Sequence, residues 1–205
     1  MTYDADIIVI GAGPGGCAAA IPLVCAGHRV LVLERKPSED GEDITSGELL
    51  APQTQHECQQ LGLDLSAEWL LDRVDGVRNV YPDLSWTYHR FPTGVQYVQV
   101  DRGRFNAALR TRLVAVGGRL LWGARVTGVG FGSDAATAQT DTAEYRARLL
   151  IDAGGRYSPA LRVLNLKTDD PEFSQIGVAV FFESFRDTPL HTWDRHFYGE
   201  HGAMI

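Results

Sequence analysis

Four apolar residues in a row, Ile7–Ile10, stop at Gly11. Such a run reads as a short strand buried on both faces, as in a parallel sheet. The small and apolar residues behind it predict a helix from Pro14 to about Gly27, and Arg29–Leu33 predicts a second strand that ends on Glu34. Pro22 falls inside that helix, lacks the donor for the Ala18 carbonyl and predicts a kink. A polar, acidic loop over 35–47 follows, then a helix over about 52–61 ending at Gly62.

From Gly76 the period shortens. Gly76–Tyr81, Ser85–His89 and Val95–Val100 alternate, with Pro82, Pro92 and Gly94 between them, and predict antiparallel strands. Phe105, Leu109, Leu113 and Val116 fall near one stripe and predict a helix over 104–116. Leu120–Trp122, Arg125–Phe131, Ala136–Thr140 and Tyr145–Asp152 predict further strands, the last running into a second glycine turn at Ala153-Gly154-Gly155. Strand character returns at Gln175–Glu183. The expected fold class is α/β: a Rossmann-like domain with a parallel sheet plus a β-meander, and part of an antiparallel-sheet domain.

The first turn carries chemistry. Gly11-Ala-Gly13-Pro14-Gly15-Gly16 spells GxGxxG between a strand and a helix, and Glu34 stands at the end of the next strand. Gly11 permits a tight turn, Gly13 lets backbone approach a pyrophosphate, and Gly16 lets helix and strand pack closely. The helix start offers unpaired N–H groups and a positive dipole end to phosphate. Glu34 can accept hydrogen bonds from an adenosine ribose. A dinucleotide is long enough to touch this turn and the one at Ala153–Gly155, both at strand ends. Pro14 and the distant second glycine turn favour FAD over NAD, with an NAD-dependent dehydrogenase as a rival reading.

Composition narrows the partners. The net charge of −7 argues against non-specific binding to nucleic acid or an anionic membrane. The three cysteines, Cys17, Cys25 and Cys58, form no CxxC pair and predict a reducing, cytoplasmic compartment, the first two as packing residues of one helix. No signal peptide is expected, and Ile176–Phe182 is too short an apolar run to span a bilayer, so a soluble protein is expected. His191, His196 and His201 recur every five residues, a spacing that gathers them in neither helix nor strand, so no metal site is expected. The basic residues are 17 Arg and only two Lys, Lys36 and Lys167.

On these residues the chain resembles the FAD-dependent oxidoreductases of the p-hydroxybenzoate hydroxylase type, a group that includes flavin-dependent halogenases and geranylgeranyl reductases. Asp6 to Ala20 and Val30 to Glu34 resemble its first FAD motif. Gly47-Glu48-x-Leu50-x-Pro52 is similar to the segment that halogenases and the reductases run past the flavin. Val100-Asp101-Arg102-x-x-Phe105-Asn106 resembles a helix start that places Arg102 near the flavin's phosphates or ribityl chain. Val126 falls where the family lays backbone against adenine, and Ile151-Asp152-Ala153-Gly154-Gly155-Arg156-x-Ser158 resembles the second motif. The resemblance thus implies cofactor contacts at Gly11, Gly13, Pro14, Gly15, Gly16, Glu34, Arg35, Gly47, Glu48, Arg102, Val126, Gly154 and Gly155.

It also implies a discontinuous FAD-binding domain over 1–75 and 100–165, and a partial substrate domain over 76–99 and 166–205. The chain is expected to be the N-terminal portion of a longer enzyme, because the family's third motif would follow. Hydroxylases of the group usually have Ala-Asp-Gly where this chain has Ala153-Gly154-Gly155, which puts direct reduction by NAD(P)H in doubt and leaves a separate flavin reductase as the other reductant. No lysine lies between Gly47 and Lys167, so halogenation would proceed without its usual residue. The leading expectation is a monooxygenase-like enzyme acting on a hydrophobic or aromatic small molecule. A reductase of isoprenoid double bonds and an inert nucleotide-binding module are the alternatives. Trp86, Tyr88, Phe91 and Tyr97 are candidates for an apolar pocket, with His89 the best-placed base, against the plainer reading of strand packing and an exposed histidine.

Overall fold

The computed structural model describes residues 2–39, 48–65, 68–168 and 192–196, with side chains left out at 48 and 192–196. In chain order the elements begin with β1 (Ile7–Ile10), α1 (Pro14–Cys25), β2 (Val30–Leu33), β3 (Glu48–Leu50), α2 (Pro52–Gln60), β4 (Leu70–Val74), β5 (Gly76–Val80), β6 (Trp86–Arg90) and β7 (Tyr97–Val100). There follow α3 (Arg102–Ala115), β8 (Arg119–Leu121), β9 (Val126–Phe131), β10 (Ala136–Thr140), β11 (Glu144–Ala147), β12 (Leu149–Asp152), a single 3₁₀ turn at Gly155–Tyr157, α4 (Pro159–Val163) and β13 (Thr192–His196).

The chain divides into two units. The first comprises Met1–Asp43, Leu61–Leu63 and Asn106–Ser174. Its centre is a parallel sheet of order β12-β1-β2-β8. Every residue of β1 and β2 is buried, as their unbroken apolar spelling requires. One face, Ile8, Ile10, Leu31 and Leu33, packs on the antiparallel meander β9-β10-β11. Ala138 and Ala147, both fully buried, let the two sheets approach closely there. Helix α1 lies against β1 and β2, burying Cys17, Ala20 and Ile21. Cys25 of the same helix is exposed, because only one face of α1 meets the sheet.

Helices α1 and α3 stop in the same way. Gly27 and Gly117 take φ of 91° and 99°. Their N–H groups donate to the carbonyls three residues back, of Val24 and Val114, and the N–H groups of the next residues donate to the Leu23 and Leu113 carbonyls. These are Schellman caps, which glycine adopts without a Cβ penalty.

The alternating run 145–152 is two strands rather than one. Glu144–Ala147 pairs with β10, whereas Leu149–Asp152 pairs with β1. The chain changes sheets at Arg148, where the N–H groups of Arg148 and Leu149 both donate to the Asp6 carbonyl. One run of strand character therefore feeds two layers of one core.

The second unit comprises Ile44–Gln60, Asp64–Phe105 and Gln175–Ile205. It holds two antiparallel-rich sheets of order β3-β7-β4 and β13-β5-β6, with β13 parallel to β5. Val74, Val98 and Val100 are buried in it, and the Trp69 and Phe105 rings meet at 5.2 Å between centroids. Strands β3, β4 and β13 go beyond the sequence expectation, and the strand expected over 175–183 lies outside the described residues. Among the described residues no helix is long and apolar enough to cross a membrane.

Candidate cofactor-binding site

The pairing register sets where the site lies. Ile10 is level with Leu33 on one side and Asp152 on the other, so β1, β2 and β12 end together. The sheet order reverses at β1, with β2 reached through α1 on one flank and β12 arriving from far along the chain on the other. Open parallel sheets bind ligands in the crevice at such a point.

Two of the fingerprint glycines are needed by the protein itself. Gly11 leaves β1 with φ of 93°, and a Cβ there would come within 2.8 Å of the Ala153 carbonyl oxygen. A Cβ on Gly16 would collide with the Gly11 carbonyl. Gly13 and Gly15 differ: a Cβ on either meets nothing within 4 Å. The backbone there faces open space, which is the condition for another molecule to approach it. Pro14 opens α1, where its missing N–H costs nothing, and helix geometry leaves the Gly15 and Gly16 N–H groups without an acceptor in the helix.

Glu34 is 7% exposed and follows β2 directly. Its Oε2 accepts from the Ala12 N–H at 2.7 Å and its Oε1 from the Lys36 N–H at 3.0 Å. Each oxygen keeps a lone pair for a further donor. The backbone of Glu34 is itself tied down, donating to the Leu121 carbonyl and accepting from the Ala124 N–H, two residues before Val126. Val126 opens β9 and packs, half-buried, against the shared core.

The second glycine turn is organised by Asp152, which the sequence marked only as part of a motif. Its Oδ1 accepts from the Gly154 N–H at 2.8 Å; its Oδ2 accepts from the Ser158 hydroxyl at 2.7 Å and the Ala160 N–H at 2.8 Å. A Cβ on Gly154 would come within 2.9 Å of that Oδ1 and 3.3 Å of Pro159 Cδ. A side chain at Gly154 would therefore crowd the Asp152 carboxylate that organises the turn. Gly155 has φ of 59° and open space where a Cβ would lie.

No reactive thiol lies at the first turn. Burial pushes the Cys17 thiol up to about 12, and its Sγ sits against the Ala12 carbonyl at 3.5 Å.

The structure therefore gathers Gly11, Gly13, Pro14, Gly15, Gly16, Glu34, Arg35, Gly154 and Gly155 at one edge of one sheet, with Val126 nearby. Gly47 lies outside the described residues, and Glu48 begins β3 in the second unit. Arg102, also of that unit, opens α3 half-buried behind Asp101, whose Oδ1 caps the helix by accepting from the Arg104 N–H at 3.0 Å. The aromatic candidates do not converge on a cavity among the described residues. Trp86 is 60% exposed and Tyr88 is exposed on strand β6, while Phe91 and Tyr97 pack on each other at 4.7 Å. His89 is exposed. Of the histidine trio, 191 and 201 fall outside the described residues, and among those described no cluster of metal-ligating side chains occurs.

These features fit the adenosine and diphosphate of a dinucleotide: a backbone cradle without side chains, free helix N–H groups and a held carboxylate. Residues 6–156 match the family model described as FAD dependent oxidoreductase. The chain is 33% identical over its whole length to menaquinone reductase of Mycobacterium tuberculosis strain H37Rv, covering 52% of it. It is 32% identical over 80% of its length to kynurenine 3-monooxygenase of Myxococcus xanthus, covering 38% of that protein. Among solved structures, p-nitrophenol 4-monooxygenase of Pseudomonas putida shares the fold with a TM-score of 0.68 at 17% identity, over 78% of this chain and 43% of that one. The chain spans about half the length of the curated relatives it matches, or less.

Proposed function

Because the chain belongs to the FAD-dependent oxidoreductases, in the group that holds halogenases, monooxygenases and geranylgeranyl reductases, we propose that it binds FAD at the carboxyl edge of its parallel sheet for redox chemistry on a hydrophobic small molecule. Gly11, Gly13, Pro14, Gly15 and Gly16 would hold the diphosphate, and Glu34 the adenosine ribose. Arg35, Val126, Gly154 and Gly155 would complete the adenosine end. Gly47, Glu48 and Arg102 are proposed for the flavin end. When bound, FAD would supply the two-electron redox chemistry.

Within that frame we favour reduction of a carbon–carbon double bond in a polyisoprenoid compound such as a menaquinone. The observation that carries reduction is the menaquinone reductase match, which runs along the entire chain, and the match to a digeranylgeranylglycerophospholipid reductase, named for an isoprenoid substrate, favours the double bond. Insertion of oxygen into an aromatic substrate is the second reading, supported by the likeness to kynurenine 3-monooxygenase. Halogenation is set aside because no lysine occurs between Gly47 and Lys167. Electrons would come from NAD(P)H or from a separate flavin reductase.

The readings separate by product mass. The whole protein, loaded with FAD, is given a menaquinone under anaerobic conditions with dithionite or NAD(P)H as reductant. After the product is reoxidised in air, which returns any quinol to the quinone, a gain of one H₂ per molecule that persists and needs the protein supports double-bond reduction. No gain there, with incorporation of one labelled oxygen atom into an aromatic substrate under ¹⁸O₂ and NAD(P)H, supports the monooxygenase.

A further inference from the structure

Arg110 lies outside every motif of the chain, yet α3 carries its charge into the interior, where the residue is 3% exposed. Glu39 meets it there. The Glu39 Oε1 accepts from the Arg110 Nε at 2.8 Å and lies 2.6 Å from Nη2, and the Trp122 ring lies against the guanidinium at 5.4 Å. The charges of Arg110, Glu34 and Glu39 all act on the buried Cys17 thiol, so the pair shares an electrostatic neighbourhood with the carboxylate that ends β2. Glu39 itself is half-exposed and belongs to the loop that leaves β2 after Glu34. That loop is fixed at its start, where the Glu34 Oε1 accepts from the Lys36 N–H and the Lys36 carbonyl accepts from the Gly123 N–H. Arg110 ties its far end to α3.

Stability does not account for the pair. Removing a guanidinium from water offsets much of its attraction to a carboxylate, and an apolar side chain in its place is often as stable or more so. Leu109 and Leu113 of the same helix are buried, so a leucine at 110 would join an existing core. What the pair supplies and a leucine would not is direction, because a planar guanidinium meets a carboxylate in a narrow range of geometries.

We infer that Arg110 is a positioning residue for the cofactor site: by gripping Glu39 it fixes the path of the segment from Glu34 to Glu39, so that binding need not order that loop. The inference rests on the FAD reading above. Arg110 acts through Glu39, and no contact between Arg110 and the cofactor is involved.

The test compares Arg110→Leu with wild type by FAD titration followed through flavin fluorescence, by urea denaturation and by amide hydrogen exchange. FAD binding is expected to weaken about tenfold, since the loop must then be ordered on binding. The urea midpoint should equal or exceed wild type. Exchange over 34–39 should speed up while β1 and β2 keep their protection. Lost affinity without lost stability is a result that a merely structural residue would not give. Glu39→Gln keeps an acceptor and removes the charge, and probes the contact from its exposed end should the leucine variant fail to fold; it should weaken FAD binding severalfold and speed the same exchange. If a folded variant binds FAD like wild type, or exchange over 34–39 is unchanged, the positioning role is wrong and the FAD site stands. If affinity and stability fall together, Arg110 is structural and the inference is wrong. If wild type binds no FAD, the cofactor reading falls and the inference with it.

Discussion

The backbone N–H of Ala12, in the middle of the glycine turn, donates to the buried carboxylate of Glu34 at 2.7 Å. The bond ties the turn after β1 to the end of β2, and the same carboxylate restrains the next loop through Lys36. Glu34 thus holds the shape of the crevice as well as offering lone pairs to a ribose. Glu34→Gln exchanges one acceptor oxygen for a donor, so one of the two N–H groups loses its partner. The expected loss is about 1–3 kcal/mol of folding stability, checked by urea denaturation. A ribose-binding role alone would weaken ADP binding and leave the urea midpoint unchanged.

The four glycines of the turn divide into two kinds. Gly16→Ala drives a methyl group into the Gly11 carbonyl and should cost about 1–3 kcal/mol through overpacking. Gly15→Ala meets open space inside the first turn of α1, where alanine is the better helix former. Its thermal midpoint should equal or exceed wild type. Equal destabilisation by the two would show that the turn is not packed as described.

Arg110 is 3% exposed, and its guanidinium reaches Glu39 at 2.6 Å and 2.8 Å. It also lies over the Trp122 ring at 5.4 Å, along a groove of about 290 Å³. A double-mutant cycle between Arg110 and Glu39 should give a coupling of about 1–3 kcal/mol that persists in high salt, since one partner is buried. The exposed Asp6–Arg29 pair should give a smaller coupling that salt removes, although Arg29 holds the Asp6 carboxyl below its ordinary range. The same salt dependence for both pairs would contradict this assignment.

Cys17 links pH to stability. Its thiol titrates at about 12 in the fold against an ordinary 9.0, so between those values the folded protein keeps a proton that the unfolded chain releases. The contribution is fully present below pH 9 and is lost as the pH rises toward 12. Urea midpoints should fall across that window, and Cys17→Ala should flatten the fall. A thiol reagent at neutral pH should label exposed Cys25 first, with buried Cys17 and Cys58 protected until unfolding.

What could be read from the chain depended on how local the cause was. Ile7–Ile10 and Val30–Leu33 are apolar at every position because helices and a second sheet cover both faces, and the glycine spacing between them is a local rule. The same reasoning could not divide Tyr145–Asp152, since the change of sheet at Arg148 is set by the Asp6 carbonyl, distant in sequence. Strand β4 escaped notice because Asp72 and Arg73 interrupt its apolar pattern. The three bonds of Asp152, to Gly154, Ser158 and Ala160, are local, but they follow from the shape of a turn and leave no periodic signal in the chain.

The central claim is that the open backbone at Gly13 is where a dinucleotide diphosphate rests. Equilibrium titration with FAD, followed by flavin fluorescence, tests it on wild type and Gly13→Val side by side. A Cβ at Gly13 meets no protein atom within 4 Å, so the variant should fold and melt like wild type. The account predicts saturable FAD binding by wild type and none by folded Gly13→Val. Equal FAD affinity of the two proteins would contradict it.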